Sequence, residues 1–321
     1  MYSIIFLASL VLLLSPSLAV AQVNGTAYGF ATGTTGRGNA VAAASKDIAQ
    51  LATWLSDSTP RVILINKNFN FIGSEGQATE ACCYRTACTP DMGEQTYIGT
   101  LSCGDSGKSA TTTTITYDKD GITPLVVGSN KSIVGVGAAG IITGKGLHLP
   151  GTTKNVILQD VHITNVNPAS VWGGDALSLD GNDGVWIDHC KFSKMGRMFI
   201  VSHYATSRFT VSNNEFDGAT TTSATCNGYT YWGTMFVAEG DQATIDRNYW
   251  HDMSGRSPKL GADGVKTTIQ ATNSGGTWPS LKSTTPLNTM AVLEKYLVAP
   301  IKVGNTMTTV LQNAGVGKIT V

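Results

Sequence analysis

The segments NVILQDVHI (residues 155–163), GVWIDHCKF (184–192), FTVSNNEFD (209–217) and ATIDRNYWH (243–251) share one pattern. Each is a short run of alternating apolar and polar residues beside a turn rich in Gly, Asn or Asp, which is typical of a β-strand and its turn. The segments recur at intervals of 24 to 34 residues. A repeat of this period indicates a solenoid built from stacked coils.

The aligned segments form two apolar columns. The first column contains Leu158, Ile187, Val211 and Ile245, and the second contains Ile163, Phe192, Phe216 and Trp250. A polar position, occupied by Asn214 and Asn248, lies between the columns. A β-sandwich also supplies alternating strands, but it gives no reason for columns in register or for a repeated asparagine. The sequence therefore predicts an all-β fold, a right-handed parallel β-helix with inward apolar ladders.

The segments before the repeats predict other elements. GRGNAVAAASKDIAQLATWLSD (residues 36–57) has apolar residues at helical spacing, with Ser45 and Asp47 near a start, and predicts a short amphipathic helix. RVILINKNFNF (residues 61–71) predicts a strand. The cysteine-rich stretch from Ser74 to Thr113 has little periodicity of either kind, so we expect a loop there.

Composition limits the kind of partner. The chain has 321 residues, 42% hydrophobic and 14% charged, with 36 glycines, which is typical of a globular body rather than a disordered or collagen-like chain. Its formal net charge of zero removes the electrostatic argument for binding nucleic acid or an anionic membrane. We expect a single domain over residues 22–321, a monomer, with a neutral substrate.

The first residues predict secretion. IIFLASLVLLL (residues 4–14) is followed by SPSLAVAQ, which ends in small residues, and together they predict a signal peptide over residues 1–21. The alternative, a membrane anchor, would need a run of about 20 apolar residues. In an extracellular compartment, the sequons at Asn24 and Asn130 are glycosylation candidates.

Secretion also decides how the cysteines are interpreted. The chain has six cysteines, and Cys82, Cys83, Cys88 and Cys103 lie close together in sequence. In an oxidising compartment such a group indicates disulfide partners rather than metal ligands.

Three longer motifs carry a family resemblance. They are VWGGDALSLDGNDGVWIDHCKFSKMGR (residues 171–197), SATCNGYTYWG (223–233) and SGRSPK (254–259). With SNKSIVGVG (129–137) and GKGL (144–147), they resemble the secreted pectin lyases of plant-associated fungi and oomycetes, close relatives of the calcium-dependent pectate lyases. The resemblance extends from about Gly25 to Gly261. It implies a lyase that degrades plant cell walls by cleaving methyl-esterified homogalacturonan (pectin), by β-elimination and without metal or other cofactor, to 4,5-unsaturated oligogalacturonates.

The same resemblance assigns roles to individual residues. It implies that Arg256 abstracts the proton, that Arg197 stabilises the developing negative charge where pectate lyases place part of a calcium site, and that Asp175 is an active-site aspartate. The residues expected to bind substrate are Trp172, Trp232, Tyr229 and Lys259. From the residues alone, SGRSPK could equally be a solvated turn, Asp175 a cap for backbone amides, and the aromatic residues packing groups.

An arginine base needs a physical argument. The ordinary guanidinium pKa, about 12.5 to 13.8, leaves very little of the neutral form near neutral pH. Cations such as Arg197 and Lys259 would favour the neutral form of Arg256, and a very strong base suits a weakly acidic carbon. By contrast, we interpret Asp188 and His189 as structural, because neighbours on a strand point to opposite faces.

The resemblance implies two disulfides. Cys88 is expected to pair with Cys226, and Cys103 with either Cys83 or Cys82. Cys190 is expected to be a buried free thiol.

The end of the chain departs from the family. After SGRSPKLGADGVKTTIQATN (residues 254–273) the sequence no longer follows the expected coils, which indicates an internal deletion near residues 273–280 of roughly two coils. Because each coil of a solenoid stabilises its neighbours, such a loss could impair activity. The alternatives to a pectin lyase are therefore a catalytically impaired secreted pectin-binding protein, or a pectate lyase or pectin hydrolase.

Overall fold

The computed structural model describes residues 22–85, 88–99, 102–104, 110–261, 268–272 and 303–320. The predicted signal peptide (residues 1–21) and the predicted deletion (residues 273–280) lie outside the described residues. Within those ranges, no helix is long and apolar enough to cross a membrane.

Three parallel sheets form the body of the molecule. Sheet I consists of β1 (Ala42–Ala44), β2 (Arg61–Ile65), β8 (Lys131–Gly135), β11 (Lys154–Gln159), β15 (Asp183–Asp188), β18 (Arg208–Ser212), β21 (Gln242–Asp246) and β24 (Thr268–Thr272). Sheet II consists of β3 (Asn68–Asn70), β9 (Ile141–Thr143), β12 (His162–Val166), β16 (Lys191–Met195), β19 (Glu215–Asp217) and β22 (Tyr249–His251). Sheet III consists of β7 (Leu125–Val126), β10 (Leu147–Leu149), β14 (Leu177–Leu179), β17 (Ile200–Ser202), β20 (Thr234–Phe236) and β23 (Lys259–Leu260).

Each turn of the chain visits sheets I, II and III in order, as β15, β16 and β17 do, before the next turn pairs in parallel with it. This is the predicted right-handed parallel β-helix. Both apolar columns are confirmed by the strand register: Leu158 pairs with Ile187, Ile187 with Val211, and Val211 with Ile245. The second column pairs Ile163, Phe192, Phe216 and Trp250 in the same way.

The asparagine position is a hydrogen-bonded ladder between sheets I and II. Asn214 Nδ2 donates to Asn248 Oδ1 at 2.9 Å, and the backbone N–H of Cys190 donates to Asn214 Oδ1 at 2.8 Å. Cys190 thus occupies the next position of this ladder, and it is a buried free thiol. Burial raises the pKa of the Cys190 thiol, which keeps it protonated.

The helix near the start of the chain is shorter than predicted. It begins at Ile48 and ends at Ser56 (α1), with the Asp47 side chain accepting from Gln50 N at 2.8 Å, and residues 42–44 form strand β1 instead. Parallel pairing of β1 with β2 outweighs the helix propensity of the alanines. In the described part of the chain, further helices are α2 (Lys119–Ile122) and α3 (Val303–Asn313), and 3₁₀ turns span Gly29–Ala31, Pro90–Met92 and Gly137–Ala139.

Two strand expectations need correction. The segment of residues 61–71, expected as one strand, contains β2 and β3, which belong to different sheets. The stretch expected as a loop contains most of sheet IV, formed by β4 (Gln77–Tyr84), β5 (Thr96–Ile98), β6 (Thr111–Asp118) and β13 (Ser170–Val171). Strands β4 and β6 pair antiparallel along their whole length. β6 is rich in threonine, and both strands are largely exposed, which hides the alternation that marks a strand.

Two disulfides hold the cysteine-rich segment: one closes a loop within it, and the other joins it to the loop between β19 and β20. Cys83 pairs with Cys103, and Cys88 with Cys226, while Cys82 is free and buried. Successive side chains on β4 point to opposite faces, so only one of Cys82 and Cys83 can reach Cys103. The Cys88–Cys226 bond anchors the cysteine-rich segment beside sheet III.

Candidate active site

The residues expected to do chemistry lie at the turns that lead into sheet III. Asp175 precedes β14, Arg197 precedes β17, Trp232 precedes β20 and Arg256 precedes β23. Neighbouring strands of a sheet are about 4.8 Å apart, so turn residues of successive coils stack at that spacing. The fold therefore brings these four side chains onto one edge.

Arg197 is held by an acid and an aromatic ring. Its Nη1 lies 3.3 Å from Asp175 Oδ2, and its guanidinium carbon lies 4.2 Å from the centre of the Trp172 ring. Asp175 Oδ1 also accepts from Met198 N at 2.8 Å, and Trp172 Nε1 donates to Ser102 Oγ at 2.9 Å. Both charged side chains are largely buried. The pair therefore fixes a cation at this point of the edge.

Two opposing effects act on the pKa of the Asp175 carboxyl, and burial is the larger. Burial raises the pKa of Asp175 above its ordinary value, while Arg197 and the Met198 amide act in the opposite direction. Removal of Arg197 would leave the carboxylate buried without its cation. The capping role considered for Asp175 is present, because it accepts a backbone amide, and it coexists with the ion pair.

Arg256 has different surroundings. Its guanidinium carbon lies 4.7 Å from the centre of the Trp232 ring, and its Nη1 lies 3.3 Å from Met235 Sδ and 3.9 Å from Met198 Sδ. Among the described residues, no carboxylate lies within ion-pair distance of Arg256. Burial lowers the pKa of Arg256; Tyr231 opposes this and Arg197 adds to it.

Two glycines permit the close approach of the coils around Arg256. A Cβ atom at Gly233 would lie 2.2 Å from the Arg256 carbonyl oxygen, and one at Gly255 would lie 2.6 Å from the Tyr231 ring. The Arg256 carbonyl accepts from Thr234 N at 2.7 Å, which ties the SGRSPK segment to β20. The motifs YTYWG and SGRSPK thus pack directly on one another.

The other two residues expected to bind substrate, Tyr229 and Lys259, lie at the surface. Tyr229 is 45% exposed, on the loop between β19 and β20. Lys259 is exposed on β23, beside Met235 in strand register. A surface depression extends the site on the Asp175 side; it is lined by Gly121, Ile122, Pro124, Trp172, Gly174, Asp175, Ser178 and Arg197.

Asp188 and His189 do not join this site. They lie at the turn between sheets I and II, where His189 Nδ1 is 2.6 Å from Asp188 Oδ2. The expectation that they point to opposite faces was wrong, because β15 ends at Asp188 and His189 has a left-handed φ of 51°. Asp188 also accepts from Ser212 Oγ and Asn213 Nδ2, a network that connects the coils.

Four groups near the arginines were not predicted from the sequence. Met198 and Met235 contact Arg256, and Ser102 accepts from Trp172. His203 lies close enough to be affected as well, because burial lowers its pKa and Arg197 adds to that effect. Met235 could have been found from its outward position in the strand alternation; Met198 and Ser102 carry no such signal.

One group of possible metal ligands in the described residues is already occupied. Glu215, Asp217 and His251 lie together on sheet II, but Lys191 Nζ is 2.7 Å from Glu215 and 3.1 Å from Asp217. A lysine ammonium satisfies these carboxylates. In a second group, Cys88 and Cys226 are bonded to each other, which leaves no thiolate for an ion.

Together the residues offer two different guanidinium groups on one edge. Arg197 is fixed and paired, so it can stabilise negative charge that develops on a bound molecule. Arg256 is half-buried, lacks a carboxylate and has a lowered pKa, so it is the better proton acceptor of the two. Such an arrangement suits removal of a proton from carbon next to an electron-withdrawing group.

Comparisons with known proteins agree with this geometry. The family model described as "Pectate lyase" matches residues 2–265. The chain is 50% identical over 261 residues to "Probable pectin lyase F-2" of Aspergillus terreus, covering 78% of this chain and 52% of that protein. It is 49% identical over 262 residues to "Probable pectin lyase F" of Aspergillus niger, covering 77% and 52%. The chain thus spans about half the length of the curated relatives it matches.

Solved structures share the fold at low sequence identity. A thermostable pectate lyase superimposes with a TM-score of 0.57 at 14% identity, covering 91% of this chain and 97% of that one. A pectate lyase bound to a hexasaccharide superimposes with a TM-score of 0.51 at 15% identity, covering 94% and 100%. These similarities show the parallel β-helix.

Proposed function

Since the chain belongs to the pectate lyase family, we propose that it is a secreted pectin lyase that cleaves methyl-esterified homogalacturonan by β-elimination. The observation that carries the proposal is the pair of unlike arginines. One is held by a carboxylate, and the other is half-buried with a lowered pKa. The relatives of this chain that are named pectin lyases support pectin as the substrate class.

The proposed reaction starts at C5 of a galacturonate unit within the polymer, next to its C6 methyl ester. The neutral form of Arg256 takes the C5 proton, and the electron pair delocalises onto the ester carbonyl. Arg197 lies where it can stabilise that oxygen as it becomes negative. The C4–O4 bond then breaks, a C4=C5 double bond forms, and the departing oxygen takes a proton from water.

The methyl ester matters because it is neutral. A free carboxylate at C6 would have to accept a second negative charge, whereas an ester withdraws electrons from C5. The donor set near Arg197 fits this, because Asp175 is already paired with the guanidinium and a divalent cation would be repelled from that point. We therefore propose a reaction that needs no metal, in which aromatic rings such as Trp172 and Trp232 line the substrate cleft.

A second candidate is a secreted protein that binds pectin without cleaving it. The observation that favours it is the set of aromatic side chains at this edge, since Trp172 and Trp232 lie over the two guanidinium groups and Tyr229 is 45% exposed. Binding through the aromatic residues could survive where catalysis does not.

The test uses the chain from Gln22 with highly methylated pectin and a calcium chelator, following the absorbance of the unsaturated uronide product. We expect activity in the chelator, its loss in Arg256→Ala, and full activity in Arg37→Ala, an exposed arginine away from sheet III. A folded protein that binds pectin but releases no unsaturated product would support the second candidate. Activity that requires added calcium would contradict the proposed reaction.

A further inference from the structure

The outer surface of sheet III contains an unusual apolar cluster. The outward positions of β14, β17, β20 and β23 are, in register, Ser178, Val201, Met235 and Lys259. Val201 and Met235 are 1% and 7% exposed, and they form a cluster with Met198, separate from the core inside the helix. An outward sheet position that is buried must be covered by something.

Arg256 and Trp232 cover this cluster. Trp232 packs against it, and Arg256 Nη1 lies 3.3 Å from Met235 Sδ and 3.9 Å from Met198 Sδ. The guanidinium carbon lies 4.7 Å from the centre of the Trp232 ring. The neighbours of the guanidinium in this cluster are therefore two thioethers and one indole.

These neighbours differ from the carboxylate and carbonyl oxygens that usually surround an arginine side chain. A thioether sulfur is a weak hydrogen-bond acceptor, so it fills space and orients an N–H without stabilising the positive charge as an oxygen would. A carboxylate or carbonyl in the same place would form a charge-assisted hydrogen bond and favour the protonated arginine.

We propose that Met198 and Met235 are positioning residues that hold the Arg256 guanidinium at the cleft while withholding any strong acceptor from it. This inference rests on the proposed function, in which Arg256 is the base. The other titratable groups near Arg256 are Arg197 and Tyr231, and Lys259 is exposed on β23. The lowered pKa of Arg256, caused mainly by burial, agrees with this arrangement.

Glutamine tests the idea because it matches methionine in length and places an amide oxygen near the sulfur position. In Met235→Gln, we expect kcat at a fixed pH to fall about tenfold, with KM little changed and the pH–rate profile displaced upward by about one unit. Met235→Leu, which keeps an apolar group of similar volume, is expected to keep most of the activity. Met198→Gln provides a second position if the first variant does not fold.

A second readout does not depend on catalysis. Phenylglyoxal reacts with the neutral guanidine, so its rate at Arg256, mapped by mass spectrometry, reports the neutral fraction. We expect about tenfold slower modification of Arg256 in Met235→Gln, with Arg37 in the same sample unchanged as the internal reference. This measurement remains informative even if the chain proves to be inactive on pectin.

The inference is overturned if Arg256 reacts at the same rate in wild type and in both glutamine variants. It is also overturned if Met235→Leu loses as much activity as Met235→Gln while its melting temperature is unchanged, because packing alone would then explain the loss.

Discussion

Arg197 and Arg256 stand on the same edge of sheet III, and each lies over one tryptophan ring, at 4.2 Å and 4.7 Å. They differ in their other neighbour. Arg197 has the Asp175 carboxylate at 3.3 Å, whereas Arg256 has two methionine sulfurs. One residue type thus obtains two chemical characters from its surroundings.

The tryptophans cannot cause this difference. A cation over an indole face is favoured in its charged form, so Trp172 and Trp232 both act in the same direction. Burial lowers the pKa of Arg256. The Asp175 carboxylate is therefore the neighbour that distinguishes Arg197 from Arg256, whose pKa is lowered.

The sharpest test of the comparison exchanges each arginine for lysine. In Arg256→Lys, we expect kcat to fall about 10³-fold, because the planar group stacked on Trp232 is lost and the new amine cannot take its position. In Arg197→Lys, a cation remains beside Asp175, so we expect a smaller loss, about tenfold. The measurement is kcat on highly methylated pectin, with circular dichroism to confirm folding.

Equal losses in the two lysine variants would break the comparison, since the two arginines would then act alike. Arg37→Lys is the matched control, because it makes the same exchange at an exposed position outside the cleft.

The sequence predicted the body of the fold well, and for a physical reason. Alternation with period two and a constant five-residue step between Leu158 and Ile163, or Val211 and Phe216, follow directly from coils stacked in register. The columns were therefore visible without coordinates. The antiparallel pair of β4 and β6 was not, because the largely exposed threonines of β6 carry no apolar alternation.

The candidate site was predictable only in part. The resemblance supplied Arg256, Arg197 and Asp175, and the structure brings the last two together. The methionines were missed, because Met198 and Met235 are 37 positions apart and each looks like an ordinary apolar residue. Their meeting depends on the register between β17 and β20, which sequence spacing alone does not give.

The second prediction concerns the cost of leaving Asp175 unpaired. We expect Arg197→Ala to lower the free energy of unfolding by about 3 kcal/mol, because it leaves a buried carboxylate without its cation, and to lower kcat about 10²-fold. Adding Asp175→Asn should restore most of the stability and none of the activity. Chemical denaturation and the pectin assay separate the two effects.

If the double variant recovered activity, Arg197 would be serving only to neutralise Asp175. If Arg197→Ala kept the full free energy of unfolding, the ion pair would contribute little to folding. Arg197 and Arg256 would then differ only in how their guanidinium groups act in the reaction.

The smallest effect concerns Asp241, a buried carboxyl with no ion-pair partner among the described residues. Its Oδ1 accepts from Ser202 Oγ at 3.0 Å and Ser207 N at 2.9 Å, while its Oδ2 has no hydrogen-bond partner among the described residues. Burial raises the pKa of Asp241 to about 6. Burial thus raises the pKa of Asp241 as it raises that of Asp175, but without the opposing effect that Arg197 has on Asp175.

The sign of the pH dependence follows from this shift. A raised pKa means that the folded state favours the protonated acid, so the contribution of Asp241 to stability is fully present below about pH 4 and is lost as the pH rises to about 6. A shift of about two units corresponds to roughly 3 kcal/mol at most, and we expect about 2 kcal/mol. In Asp241→Asn, which does not titrate, the fall in unfolding free energy between pH 4 and 7 should be smaller than in wild type by this amount. Asp91→Asn, at an exposed position, should keep the wild-type fall in unfolding free energy between pH 4 and 7. An equal fall in all three proteins would mean that Asp241 is solvated and that its carboxyl needs no cation.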